Sequence, residues 1–222
     1  MKSLFLLLAV ASFGGCIKST TQDVASALTE SAPSRSPVPS ATMTPLAQKE
    51  SPIRKIDFAN RTYVGPDDFA ETFTLKNGEK PFVRGEENGI DLSNVSYADI
   101  TGDGQEDAII EIGVLTGGSA NPSLVFIYTL KNGAPKVLWS FIGGDRAEGG
   151  LKDIYEQNGK LVVELFGVAK LVNNSWRATV PKDKERGLCC PTIYTRTVLR
   201  WDGKRFATVG SPEVFDIPPS NQ

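Results

Sequence analysis

The chain has 222 residues, 40% of them hydrophobic and 23% charged, and its formal charge of -2 at a sequence pI near 5.4 leaves no broad basic field of the kind that draws nucleic acid. It contains no histidine, which excludes Ser-His-Asp and Cys-His catalysis and any metal site that needs imidazole. An enzyme of this composition would have to work with carboxylates, tyrosine, lysine or cysteine, and the length has room for one ordinary core.

The N-terminus carries Lys2, an apolar run from Leu4 to Phe13, then Gly14, Gly15 and Cys16. The run is too short for a spanning helix, which needs about 20 residues, and it suits the apolar region of a secretory signal. An ordinary signal would be cut at Ala9-Val10-Ala11. Residues 13–16 instead resemble a bacterial lipobox, departing from it at Phe13, where leucine is usual. That resemblance implies a lipoprotein signal peptide over residues 1–15, with Cys16 as the acylated first residue. More than one acyl chain would anchor it stably to a bacterial membrane. Ile17 in place of aspartate implies, by analogy with known sorting, the outer membrane or cell surface.

Ser, Thr, Pro and Ala supply most of residues 17–52, with no sustained apolar period. Together with Cys16 they read as a disordered tether over 16–52, spanning about 35 Å as a flexible coil. The remainder predicts a single β-rich domain over 53–217 and a disordered tail over 218–222. Within that domain Asn77-Gly78, Asn132-Gly133, Asn158-Gly159 and Asp202-Gly203 each separate apolar or alternating runs. Such pairs favour the positive φ of type I′ turns, so each marks a β-hairpin. Residues 123–130 are apolar on both faces and predict a central strand. Ile193–Trp201 alternates and predicts a half-buried one.

The fold class that follows is all-β or β-dominated: an antiparallel meander of hairpins, as a sandwich or a propeller-blade-like sheet. In a meander three irregular segments, 116–119, 143–150 and 169–192, should share one end. The acidic loop and the tight turns should share the other.

The acidic loop, residues 99–107, lacks an EF-hand's third-position Asp or Asn, and Ile110 stands where its twelfth-position Glu belongs. It resembles the short D-x-T-G-D-G-x-x-D loop of FG-GAP, integrin-like repeats. That resemblance implies Ca²⁺ held by Asp99, Asp103 and Asp107, with the Thr101 hydroxyl and the Gln105 carbonyl. The alternative is a plain turn in which the aspartates cap neighbouring amides. Through the stretches YADITGDGQEDAIIEIG, LVFIYTLKNG, GGDRAEGG and GLCCPTIYTRTVLRWDGKRF, over most of residues 90–206, the chain also resembles a group of bacterial lipoproteins of unassigned function, which implies export and no particular activity.

Cys189 and Cys190 are adjacent thiols, open to a vicinal disulfide, a buried reduced pair, or a redox or intermolecular role. A bond between neighbours would be strained, because their Cα atoms are only about 3.8 Å apart. Glycine pairs bracket Asp145, Arg146 and Glu148, a candidate binding loop with Arg196 as a neighbour, or else a solvated link. These features predict an exported, lipid-anchored, non-catalytic module that binds an envelope protein or polymer. The alternatives are a carboxylate hydrolase using Asp145 and Glu148, or a purely structural envelope protein.

Overall fold

The computed structural model describes residues 51–85, 88–145, 149–186 and 190–218. The signal peptide, Cys16 and the tether up to residue 50 lie outside the described residues, as do Arg146, Glu148, Cys189 and the tail from 219.

A 3-10 turn, Pro52–Lys55, leads into the ribbon β1 (Thr62–Val64) and β2 (Thr72–Thr74). Strands β3 (Glu79–Lys80), β4 (Gly89–Ala98), β5 (Asp107–Leu115), β6 (Ser123–Lys131) and β7 (Ala134–Gly143) follow. They form a five-stranded antiparallel sheet in sequence order. A second sheet is built from β8 (Leu151–Glu156), β9 (Leu161–Phe166), β14 (Ile193–Trp201), β15 (Phe206–Thr208) and β16 (Glu213–Asp216). Its order is β15-β14-β9-β8, and β16 also pairs with β14. Between β9 and β14 the chain makes two ribbons. One is β10 (Val168–Val172) with β11 (Ser175–Thr179), and the other is β12 (Glu185–Arg186) with β13 (Cys190–Pro191).

The fold is therefore β-dominated and antiparallel, as the turn signals predict. Asn77, Asn132 and Asn158 have φ near +55°, each followed by a glycine at positive φ. These are the type I′ dihedrals whose twist matches paired strands. The fourth turn differs. Only Gly203 has positive φ, and the Asp202 carboxylate accepts the amides of Lys204 and Arg205, each at 2.9 Å. Those amide bonds hold the carboxyl below the usual carboxylate range.

Layering follows from side-chain alternation. Ile109, Val125, Ile127, Trp139 and Phe141 point from the first sheet onto Ile154, Leu161, Val163, Leu165 and Leu199 of the second. On its other face Ala108, Ile110, Ile112, Leu124 and Phe126 pack under Ile53, Phe58, Tyr63, Phe73 and Leu75 of the N-terminal segment. The first sheet is thus the middle of three layers. β6 is the central strand expected, buried on both faces. β14 is the half-buried one, with Ile193, Thr195, Thr197 and Leu199 inward.

The register puts residues 116–122 and Gly143 at one end of the first sheet, and the acidic loop and Asn132-Gly133 at the other. Residues 169–192, expected to be irregular, form the two ribbons instead. Asn173 and Asn174, both at positive φ, make the β10–β11 turn. From there the ribbon lies beside β7, where Trp139 Nε1 donates to the carbonyl of Asn174 at 3.2 Å.

Gly149 tests the packing of this end. Its φ is +84°, and an added Cβ would collide with the Cβ of Ala178. Gly133 has a similar φ of +77° but open space around it. Urea unfolding should show Gly133→Ala costing about 1 kcal/mol for the left-handed backbone alone, and Gly149→Ala about 1–3 kcal/mol more for the added overlap. Equal losses would mean that β11 does not pack on Gly149.

Candidate functional site

The acidic loop is closed by its own amides. Asp99 accepts from Gly102 (2.7 Å), Asp103 (3.2 Å) and Gly104 (2.8 Å), and Asp103 accepts from Gln105 (2.9 Å). Gly102 and Gly104 supply the positive φ this path needs. Asp107, the first residue of β5, is fully buried. One of its oxygens accepts from Ile100 (3.1 Å) and Thr101 (3.0 Å), while Oδ1 and the Thr101 hydroxyl have no partner among the described residues. Burial pushes the Asp107 carboxyl up, against the pull of its hydrogen bonds. No group of three Asp, Glu, Cys or His converges for a metal among the described residues. In this conformation Asp99 and Asp103 are turned onto backbone amides, whereas Ca²⁺ takes six to eight oxygens. Beside the loop Glu106 receives a two-pronged bond from Arg54 (2.6 and 2.7 Å), whose guanidinium lies 4.6 Å from the Tyr97 ring centroid. Arg54 holds the Glu106 carboxyl low.

The outer face of the second sheet carries a charged cluster hidden in the sequence. Glu164, in the middle of the apolar strand β9, is only 2% exposed. Arg196 reaches its Oε1 through Nε (2.7 Å) and Nη2 (2.6 Å), Lys152 bonds Oε2, and the Tyr155 hydroxyl donates to Oε1 at 3.3 Å. Lys152 also lies 4.2 Å from the Tyr194 ring and Arg196 4.7 Å from the Phe215 ring. Burial alone would raise the Glu164 carboxyl. The two cations outweigh it and hold the group below its usual range. Arg196 is therefore committed to Glu164. Among the sequence-selected residues, Asp145 stands between the described ends of β7 and β8, while Arg146 and Glu148 fall outside the described residues. Cys190 sits half-buried on β13 opposite Arg186. Any pairing with Cys189 lies outside the described residues.

A groove runs between the outer edge of β7, the β10–β11 ribbon and the loop 64–68. One cavity of about 380 Å³ follows six successive β7 residues, Val137 to Ile142, and faces Asp67 and Asn174. A second, of about 510 Å³, shares Asp68, Ile142 and Trp176 with it and continues to Gly144 and Gly149. Trp176 lies tilted to Trp139 (6.3 Å between ring centroids) and edge-on to Phe141 (5.9 Å). It is 8% exposed, and its buried Nε1 has no acceptor among the described residues.

No protein-family profile matches the chain, and no curated protein matches it.

Two measurements follow from these sites. With its carboxyl held low, Glu164 adds stability above the unfolded carboxyl pKa and loses it as pH falls through the lower folded value. Glu164→Gln should cost about 3 kcal/mol at pH 7, at the low end for a broken buried pair because its cations are partly solvated. The deficit should shrink as pH falls below the ordinary carboxylate range. A pH-independent deficit in urea unfolding would show packing, not charge, at work.

In the acidic loop, an ion at 100 times its dissociation constant would add about 2.7 kcal/mol. The amide-closed geometry predicts that millimolar Ca²⁺ moves the Tm of wild type and Asp103→Ala equally little. A rise of several degrees confined to wild type would show the loop reopening around the ion.

Proposed function

We propose that the protein is an exported, lipid-anchored binding module whose ligand lies in the groove between β7, the β10–β11 ribbon and residues 64–68. The observation that carries this reading is the groove itself. It is made of two adjoining cavities that share Asp68, Ile142 and Trp176, it reaches Gly144 and Gly149 of the Gly-rich segment singled out in the sequence, and it is lined by Trp176, whose buried indole donor is unmatched among the described residues. Buried polar groups are almost always paired, and a covered, unmatched donor on a side chain that lines a concave surface suits a ligand acceptor that reaches it.

Support for export comes from the signal-like N-terminus and the lipobox resemblance at Cys16. The resemblance to bacterial lipoproteins of unassigned function points the same way. The partner on this reading is an envelope protein or polymer.

Cys16→Ser should move the protein from the membrane to the soluble exported fraction and abolish palmitate labelling. Equal labelling of mutant and wild type would overturn the anchor. For the groove, a photo-crosslinking residue at Val137 should give adducts in intact cells. The same residue at Lys204, on the exposed β14–β15 turn, should give none. Matching yields from both positions would count against the groove.

A further inference from the structure

We infer that the groove takes an extended peptide carrying basic side chains, which joins the first sheet as a sixth strand along β7; this rests on the reading of the groove as the ligand site. Three independent observations lead here.

The first is the edge. β7 ends the strand order of the first sheet, and among the described residues no strand pairs with its outer side. A cavity that follows six consecutive residues of a strand lies along its backbone rim, because alternate side chains leave on opposite faces. An open rim is a template for an added strand, with backbone hydrogen bonds giving affinity and side-chain pockets giving selectivity. A bulge at Leu138 interrupts the register, so the regular edge runs over residues 139–142, about 13 Å at 3.3 Å per residue.

The second is the charge on the facing wall. Asp67 and Asp68 stand there, both exposed. Asp68 meets Arg177 at 3.4 Å, while Asp67 has no ion-pair partner among the described residues. An unneutralised carboxylate beside an open strand edge favours a lysine or arginine on the incoming segment and disfavours an acid. Val64, 72% exposed, and Val137, 40% exposed, flank the groove and offer apolar contact to the alternate residues.

The third is the Trp176 indole. Its donor is covered and unmatched, and the ribbon that carries it is tied to β7 through the bond from Trp139 to Asn174. A backbone carbonyl entering between ribbon and strand would supply the acceptor.

The test uses the full-length protein and fluorescence anisotropy with labelled eight-residue peptides. The first alternates valine and threonine and carries two lysines. The second replaces both lysines with glutamate. The third is the lysine peptide methylated on alternate backbone amides. The lysine peptide should bind at least about tenfold more tightly than the glutamate peptide, and methylation should abolish binding. Asp67→Lys, an exposed change that leaves the core untouched, should reverse the preference. Trp176→Phe should weaken binding about fivefold, the loss expected for one hydrogen bond.

Equal affinity for the lysine and glutamate peptides, or indifference to Asp67→Lys or to methylation, overturns the inference. A panel of neutral oligosaccharides, read by protection of tryptophan fluorescence from acrylamide, separates this failure from that of the underlying reading. Protection by a sugar in wild type but not in Trp176→Phe, with no peptide bound, keeps the groove and rejects the peptide. Silence from both panels rejects both.

Discussion

Strand β6 presents Leu124, Phe126 and Tyr128 on one side and Val125 and Ile127 on the other, all withdrawn from water. Burying each such side chain is worth about 1.5–3 kcal/mol, so the first sheet needs a cover on both faces. The second sheet supplies one cover and the segment from Ile53 to Leu75 the other. The backbone hydrogen bonds of the N-terminal cover, the three-position β1–β2 ladder and turn bonds such as Gly65 to Glu71 and Leu75 to Arg61, close it on itself. It is held by side chains. Tyr63 packs 5.0 Å from Phe126 and 5.5 Å from Phe73, and its hydroxyl donates to the carbonyl of Phe58 at 2.6 Å. Burial pushes that phenol well above its ordinary pKa.

Among the described residues two carboxylates are buried, and their surroundings divide them. Asp107 sits at the start of β5 with amide donors and no cation, so burial prevails and its carboxyl is pushed up. Glu164 lies on β9 between Lys152 and Arg196, which hold it charged. The difference comes from strand neighbours. β9 pairs on both sides with strands that present cations at the right register, Arg196 directly opposite Glu164 on β14, and Lys152 at the bulge in β8. Asp107 begins its strand where the chain turns, and loop amides and the Thr101 and Thr129 hydroxyls are near it in place of a cation.

The hairpins were legible because Asn-Gly chemistry is local: a residue pair that accepts positive φ fixes the turn wherever it sits. The two-faced apolarity of residues 123–130 and the alternation of Ile193–Trp201 likewise reported their burial directly. Other features depended on distant residues. The β10–β11 ribbon has short strands around an Asn-Asn turn, and the alternation of Ala169 and Leu171 against Trp176 and Ala178 was the signal available for it. Glu164 could have been noticed as a lone acid in an otherwise apolar strand, but its cations arrive from two other strands. The groove was beyond sequence reading altogether, since its walls come from residues 64–68, β7 and β11, which the chain brings together only through tertiary packing.

The wall that carries Val64, Asp67 and Asp68 belongs to the same layer that begins at Ile53. That layer is fastened at its start by the burial of Ile53 and by the grip of Arg54 on Glu106. A pull delivered through the chain before Ser51 is borne first by those two attachments and only then by the groove wall. β7 and the β10–β11 ribbon lie outside this load path. Mechanical tension at the N-terminus would therefore strip away one side of the groove while leaving the other in place.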